Sequence, residues 1–132
     1  MVKTTLVERD FVDGEILLRE LDLAHMKVHS AMWLYDSEVD YWKFIIASEI
    51  RDAEGPKAAY TFVWNVLKQM ENAGVSVGFS LENILVVSPN DSLIKNLGTV
   101  QKTGPNDISG IRFSRNRAGN IFIDDAYIYR IQ

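Results

Sequence analysis

Two adjacent carboxylates, Asp124 and Asp125, interrupt the apolar C-terminal stretch IFIDDAYIYRI, residues 121–131. Carboxylates placed side by side can bind a metal ion or serve as general acid and base, so the doublet is the first candidate for chemistry. Arg112, in the preceding apolar stretch, completes a candidate polar site of three residues. The two aspartates can serve one site only if both side chains leave the strand on the same face.

A β-hairpin is predicted around the doublet, with residues 116–120 as its loop. In that register Arg112 faces Asp124 and Ile111 faces Asp125. Since successive side chains of a strand point to opposite faces, Asp125 would enter the apolar face alone, where an unpaired charge is costly. A β-bulge at the doublet would turn both carboxylates to one side. The competing interpretation is structural, with the aspartates satisfying Arg112 and backbone N–H groups.

The tip of this hairpin, RFSRNRAGN at 112–120, carries three arginines around a turn. The chain has 18 acidic and 14 basic residues, but residues 83–132 hold four acids and six bases, so a local basic face is predicted within a chain of net charge −4. Phosphate groups attract such cations. A solubility feature or a protein contact is the competing interpretation. The candidate anion or nucleic-acid contacts are Arg112, Arg115, Arg117, Lys95 and Lys102.

Aromatic side chains form a further candidate site, around the first hairpin and the second helix. One small domain can hardly bury all of them, although core positions are expected for most. Because Trp and Tyr supply much of the energy at protein interfaces, any exposed remainder predicts a homodimer face or a partner surface. These candidates are Trp33, Tyr35, Tyr41, Trp42 and Trp64.

No motif in the sequence identifies a reaction. The chain has no cysteine, and His25 and His29 straddle a predicted helix-to-strand junction, so neither a metal site nor a cofactor is predicted. A Gly-rich phosphate loop and a nucleophile motif are also missing. The stretch VSPND predicts a helix cap at Ser88 or Asn90 rather than an anion site.

The elements that position these residues follow from hydrophobic periodicity and turn residues. The first helix is expected to be loosened at Gly14. Together the elements predict one α+β domain over residues 1–132, of order α-β-β-α-β-α-β-β, with helices packed on a mainly antiparallel sheet of about five strands. In chain order they are a helix over 7–25, strands over 28–35 and 41–48, a helix from Pro56 in its first turn to Gly74, a strand over 84–87, a helix after Pro89, and the second hairpin.

A soluble cytoplasmic protein is expected, because the charged N-terminal stretch lacks a signal peptide's apolar core and no apolar run approaches the roughly 20 residues of a membrane span. The segments AMWLYD, GPKAAY, VSPND and GIRFSRN with DDAYIYRI together resemble an uncharacterised family of small bacterial proteins of this length. That resemblance implies a free-standing domain and no catalytic residue.

The sequence therefore predicts a non-enzymatic interaction or regulatory module whose partner is another protein or a second copy of the chain. The alternative is a phosphate- or nucleic-acid-binding protein, or a hydrolase, built on the basic hairpin and the aspartate doublet. The two classes differ in salt dependence, since binding to a phosphate backbone falls steeply as salt rises.

Overall fold

The predicted α+β class and element order are confirmed in a computed structural model, which describes residues 5–132. Two short elements were not predicted: a helix directly after the first hairpin, and a 3-10 turn, Leu81–Asn83, before the third strand. The elements are α1 (Glu8–Leu23), β1 (Val28–Asp36), β2 (Tyr41–Ser48), α2 (Ile50–Glu54), α3 (Pro56–Asn72), β3 (Ile84–Val87), α4 (Ser92–Gly98), β4 (Ile111–Ala118) and β5 (Ile121–Arg130).

The five strands form one sheet in the order β3-β2-β1-β5-β4. β2 and β3 run parallel, and the other neighbouring pairs run antiparallel. The two hairpins lie side by side because β1 pairs with β5 as well as with β2. β4 is therefore an edge strand, and the C-terminal strand β5 lies inside the sheet.

Each face of the sheet packs its own core. One core contains side chains of α1 and α3 with sheet residues such as Trp33 and Phe44. The other contains side chains of α4 with sheet residues such as Met32 and Ile45. Strands buried on both faces carry apolar residues at successive positions, which explains the apolar character of β1 and β2.

α1 continues without interruption through Gly14, so the predicted loosening there is wrong. The Tyr129 hydroxyl donates to the Phe11 carbonyl at 2.6 Å, and Trp33 Nε1 donates to the Asp10 carbonyl at 3.2 Å. Both rings lie so close to Gly14 that an added Cβ would collide with them. Glycine is needed here for the close approach of two aromatic rings to the helix.

α1 and α3 end in the same hydrogen-bonded turn, but with different residues at its left-handed position. After α3 this residue is Gly74, at φ 81°, and the next N–H bonds the carbonyl five positions back at 2.8 Å. After α1 it is His25, at φ 64°, with the equivalent bond at 3.1 Å. Glycine adopts this conformation without a steric cost, whereas His25 adopts it at a cost.

α4 begins at Ser92, and its cap is Asp91. The Asp91 carboxylate accepts a hydrogen bond from the Leu93 N–H at 3.0 Å. The predicted caps have other roles: the Ser88 hydroxyl accepts from the Asn90 N–H at 2.9 Å and donates to Asp52 at 2.7 Å. The prediction of Ser88 or Asn90 as the cap is therefore wrong.

Candidate functional site

The hairpin that carries the aspartate doublet closes with the two-residue turn 119–120 instead of the predicted five-residue loop. A Gly-Asn pair is favoured in such tight turns. As a result Arg112 pairs across the strands with Tyr127 and not with Asp124. The predicted register is therefore wrong by three residues.

The two aspartates have different neighbours, so they do not form one site. Asp125 accepts two hydrogen bonds from Arg112, from Nε at 2.6 Å and from Nη2 at 2.5 Å, and one from the Ser114 hydroxyl at 2.9 Å. Asp124 lines a groove together with Leu34 and Lys43. The expected partner of Arg112 was Asp124, and the observed partner is Asp125.

The doublet marks the point where the apolar alternation of β5 changes phase. Ile121 and Ile123 belong to the same core as Ala126 and Ile128, although positions an odd number apart should face opposite sides. The pairing with β4 keeps one register across this point, so the predicted bulge at the doublet is wrong. The change of phase in β5 lies opposite Arg115 of β4, whose backbone is in the left-handed region at φ 48°.

The charge of Asp125 is held in a neutralised pair. Partial burial pushes the pKa of Asp125 up, but the hydrogen bonds from Arg112 and Ser114 and the charge of Arg112 outweigh it and lower that pKa below its ordinary value. A general base needs a pKa near the working pH, so this carboxylate is poorly suited to the task. Within residues 5–132, no group of three or more His, Asp or Glu side chains is arranged to hold a metal ion.

The five basic candidates do not share one face. Arg112 is paired with Asp125. Lys102 lies at the C-terminal end of β5, since the next residue bonds the Ile131 carbonyl at 2.7 Å. With a rise of about 3.3 Å per residue, roughly 30 Å of β5 separates this end from the hairpin tip. The remaining exposed members are Arg115 and Arg117 at the tip and Lys95 on α4, the helix that contacts the tip.

Two of the five aromatic candidates belong to the core. Trp33 and Trp42 are 3% and 4% exposed, so their prediction as interface residues is wrong. Tyr35 and Tyr41 are half-buried, and both hydroxyls are hydrogen-bonded within the domain. Trp64 is 47% exposed and lines a depression of about 460 Å³ between α3 and residues 75–82.

A groove at the tip end of the sheet was not predicted. This tip groove, of about 310 Å³, lies between the β1–β2 turn, the start of α4 and the first residues of β5. It exists because α4 has only seven residues, about 10 Å of helix, and leaves this part of the sheet face uncovered. Its apolar wall includes Leu34, Leu85 and Phe122, and its charged rim consists of Asp36, Glu38, Lys43 and Asp124.

A polar cleft of about 610 Å³ lies at the opposite end of the sheet, where α1 ends and β1 begins. It collects residues from several distant segments: Asp22, His25, Lys27, Val28, His29, Glu49, Pro105, Asn106, Arg130 and Gln132. The sequence analysis assigned both histidines to ordinary helix-end and strand positions.

Arg130 is the most buried polar side chain of the polar cleft. It is 1% exposed, and its Nη1 and Nη2 donate to the Asp22 carboxylate at 2.9 and 2.8 Å. Nη1 also donates to the Val28 carbonyl at 3.2 Å, and Nε to the Asp107 carbonyl at 3.0 Å. In its pairing with β1, strand β5 has a β-bulge at Tyr129, one residue before Arg130. Both oxygens of the Asp22 carboxylate therefore already accept a hydrogen bond from Arg130.

His29 lies at an irregular position of β1. The pairing of β1 with β2 shifts by one residue between Val28 and Ser30, so His29 is the extra residue of a bulge. Its ring Nδ1 is 2.7 Å from the Ser30 hydroxyl. Burial lowers the pKa of His29; Glu49 opposes that change and Lys102 adds to it. The neutral form of the imidazole is therefore favoured more strongly than in a solvent-exposed histidine.

No protein-family model matches the sequence, and comparisons with curated proteins and with solved structures likewise found no match. The resemblance to a family of small bacterial proteins therefore stays a prediction. None of the helices within residues 5–132 has the length and apolar character needed to cross a bilayer. The cytoplasmic location also stays a prediction.

Proposed function

We propose that this protein is an interaction module that self-associates, with the tip groove as the contact between two copies of the chain. The main support is the pattern of the exposed surface at this end of the sheet. An apolar centre is flanked by Glu38 on the β1–β2 side, where Asp36 pairs with Lys43, and by the tip residue Arg117, beside Asp124, on the β4–β5 side. Such a surface is complementary to a second copy of itself.

The apolar centre consists of side chains from three strands. Phe122 is 56% exposed and Leu85 37%, and both line the groove next to the half-buried Leu34. Single exposed apolar side chains are ordinary, but neighbouring ones that line one concave surface are typical of contact sites. Covering them would remove apolar area from water, which is the main favourable term in association.

The charges around this centre favour a second copy as the partner. Arg117 pairs directly with Phe122 across the hairpin, so the two side chains are neighbours at the hairpin tip, where Phe122 borders the groove. Asp36 and Glu38 lie on the other side of the groove, at the β1–β2 turn. Asp36 is paired with Lys43 at 3.7 Å, so a two-fold axis through the apolar centre would place the Glu38 carboxylate of one copy against Arg117 of the other.

Association through the face of the sheet is favoured over association through its edge. β4 is an edge strand with an exposed row of arginines, Arg112, Arg115 and Arg117. Antiparallel pairing of two β4 strands would bring these like charges together, and charged side chains are a common protection against such pairing. The predicted phosphate- or nucleic-acid-binding alternative has less support, because Arg112 is neutralised and Lys102 is remote.

Sedimentation equilibrium of the purified protein tests the proposal. We expect a monomer–dimer equilibrium that Phe122→Ser moves to monomer, because a serine removes the exposed ring from the apolar centre. Trp64→Ser is the matched control: it removes another exposed aromatic, 47% exposed against 56% for Phe122, from α3 and should leave the equilibrium unchanged.

A charge swap tests the two-fold arrangement. Arg117→Glu should weaken association, and adding Glu38→Arg to the same chain should restore it, since each rim contact then joins opposite charges again. A monomeric wild-type protein at every concentration would overturn the proposal. Equal effects of Phe122→Ser and Trp64→Ser would show that the tip groove is not the contact surface.

A further inference from the structure

The polar cleft contains charged and polar side chains without a hydrogen-bond partner among the described residues. Among residues 5–132, the side chains of His25, Lys27 and Glu49 make no hydrogen bond or ion pair with one another or with other described residues. Lys27 and His25 bring N–H donors, while Glu49 is the single carboxylate of the cleft whose oxygens are unoccupied. The N–H donors of Lys27 and His25 suit a ligand with acceptor oxygens.

The charges around the cleft favour an anion. The buried Arg130 and Asp22 neutralise each other. Lys27 lines the cleft, and Lys102 is close enough to act electrostatically on His29. Lys27 and the nearby Lys102 together outnumber Glu49, the one unpaired acid of the lining.

Backbone conformation gives independent support. His25 and Lys27 have φ of 64° and 60°, on either side of the fully buried Met26. Gly74 occupies the position equivalent to His25 at the end of α3 and avoids the steric cost. Non-glycine residues in such conformations cluster at binding and active sites, where the side chain is needed despite the strain.

The ring of His29 is positioned to meet a ligand. Its Nδ1 is 2.7 Å from the Ser30 hydroxyl, which orients the imidazole. Nε2 is the ring nitrogen left for a contact in the cleft, which His29 lines. A ring that is neutral when the cleft is empty would gain a proton more easily beside a bound negative charge.

We propose that the polar cleft binds a small molecule through an oxyanion group, a phosphate or a carboxylate, held by N–H donors of Lys27, His25 and His29. The site is distinct from the tip groove, since the two lie at opposite ends of β5. It therefore does not depend on self-association.

NMR of the two histidine rings, with inorganic phosphate and acetate as separate probes, tests this binding. We expect the ring signals to move and saturate, and the pKa of His29 to rise in the presence of the probe that binds. Saturation with one probe assigns the ligand group as phosphate or carboxylate. Shifts that stay linear and never saturate with both probes would overturn the proposal.

Variants separate a specific site from general charge screening. Lys27→Gln should weaken the apparent affinity roughly tenfold or more, the loss of one charge-assisted hydrogen bond. Lys57→Gln, at an exposed position of α3, is the matched control and should change nothing. Equal affinities for these two variants would contradict the assignment of Lys27.

His25→Gly distinguishes binding from folding, because it should raise the Tm while lowering the affinity. A loss of affinity without loss of fold is expected only if the imidazole serves a ligand. Unchanged affinity in this folded variant would remove His25 from the site. The same titration of Phe122→Ser should reproduce the wild-type response, so failure of the dimer proposal leaves this test intact.

Discussion

Arg130 and Asp22, 108 positions apart in the chain, form a bidentate ion pair that joins the end of β5 to the end of α1. The Arg130 side chain is 1% exposed and that of Asp22 35%. Removing one member of a buried pair is costly, because the other charge stays in the interior without its partner. This pair is therefore a largely buried electrostatic link between the C-terminal strand and α1.

Asp22→Ala should lower the free energy of unfolding by about 3 kcal/mol, the low end for a buried pair because Asp22 is partly exposed. Urea denaturation measures this change. Asp125→Ala is the control: Arg112, its partner, is 50% exposed, so that loss should not exceed about 1 kcal/mol. Equal losses would show that burial does not decide the strength of these pairs.

The first hairpin could be predicted almost to the residue, because its determinants are local. Strands expected at 28–35 and 41–48 are observed at Val28–Asp36 and Tyr41–Ser48, on either side of a polar turn. The second hairpin was predicted with the wrong register because its tip, NRAGN, allows either a five-residue loop or a two-residue turn. The choice depends on contacts with α4, such as the Asn120 N–H bonded to Asn96 at 3.0 Å.

The candidate sites were harder to predict than the fold. An ion pair between Arg112 and Asp124 was expected across the second hairpin. Because the observed register differs, Arg112 pairs with Asp125 instead. The polar cleft could not be predicted, because it forms only in the folded domain. Its residues come from the end of α1, the start of β1, the residue after β2, the loop before β4 and the end of β5. Sequence spacing gives no information on such long-range contacts.

Gly14→Ala should destabilise the protein by about 1–3 kcal/mol, although alanine favours a helix over glycine by about 1 kcal/mol. The added methyl group would collide with the Tyr129 hydroxyl and the Trp33 ring. Thermal unfolding followed by circular dichroism measures the effect. Gly98→Ala, where the nearest atom to the added Cβ is 3.5 Å away, is the control and should be close to neutral. A stabilised Gly14→Ala protein would contradict the close packing of these rings.

His25→Gly should raise the free energy of unfolding by about 1 kcal/mol, since glycine takes the left-handed conformation without steric cost. The reverse comparison is Gly74→Ala, which puts a Cβ on the equivalent position after α3 and should lower stability by a similar amount. Denaturant titrations of both variants provide the measurement. If His25→Gly were neutral, the cost of the histidine would be offset by contacts of its ring.

The burial of His29 predicts a loss of stability in mild acid. Because burial lowers the pKa of this imidazole in the folded state, the unfolded chain takes up a proton first as the pH falls through the ordinary value of 6.5. The contribution to stability is thus complete above 6.5 and declines from there down to the folded-state pKa. Of the charged neighbours of the ring, Glu49 raises the pKa of His29 and Lys102 lowers it.

His29→Gln removes this titration, so its free energy of unfolding should fall less steeply with decreasing pH than that of the wild-type protein. Denaturant titrations at several pH values between neutrality and mild acid give the two slopes. Saturating phosphate, if the polar cleft binds it, should also flatten the wild-type slope, because a bound anion favours the charged ring. Identical slopes for the variant and the wild-type protein would show that His29 stays accessible to protons in the folded state.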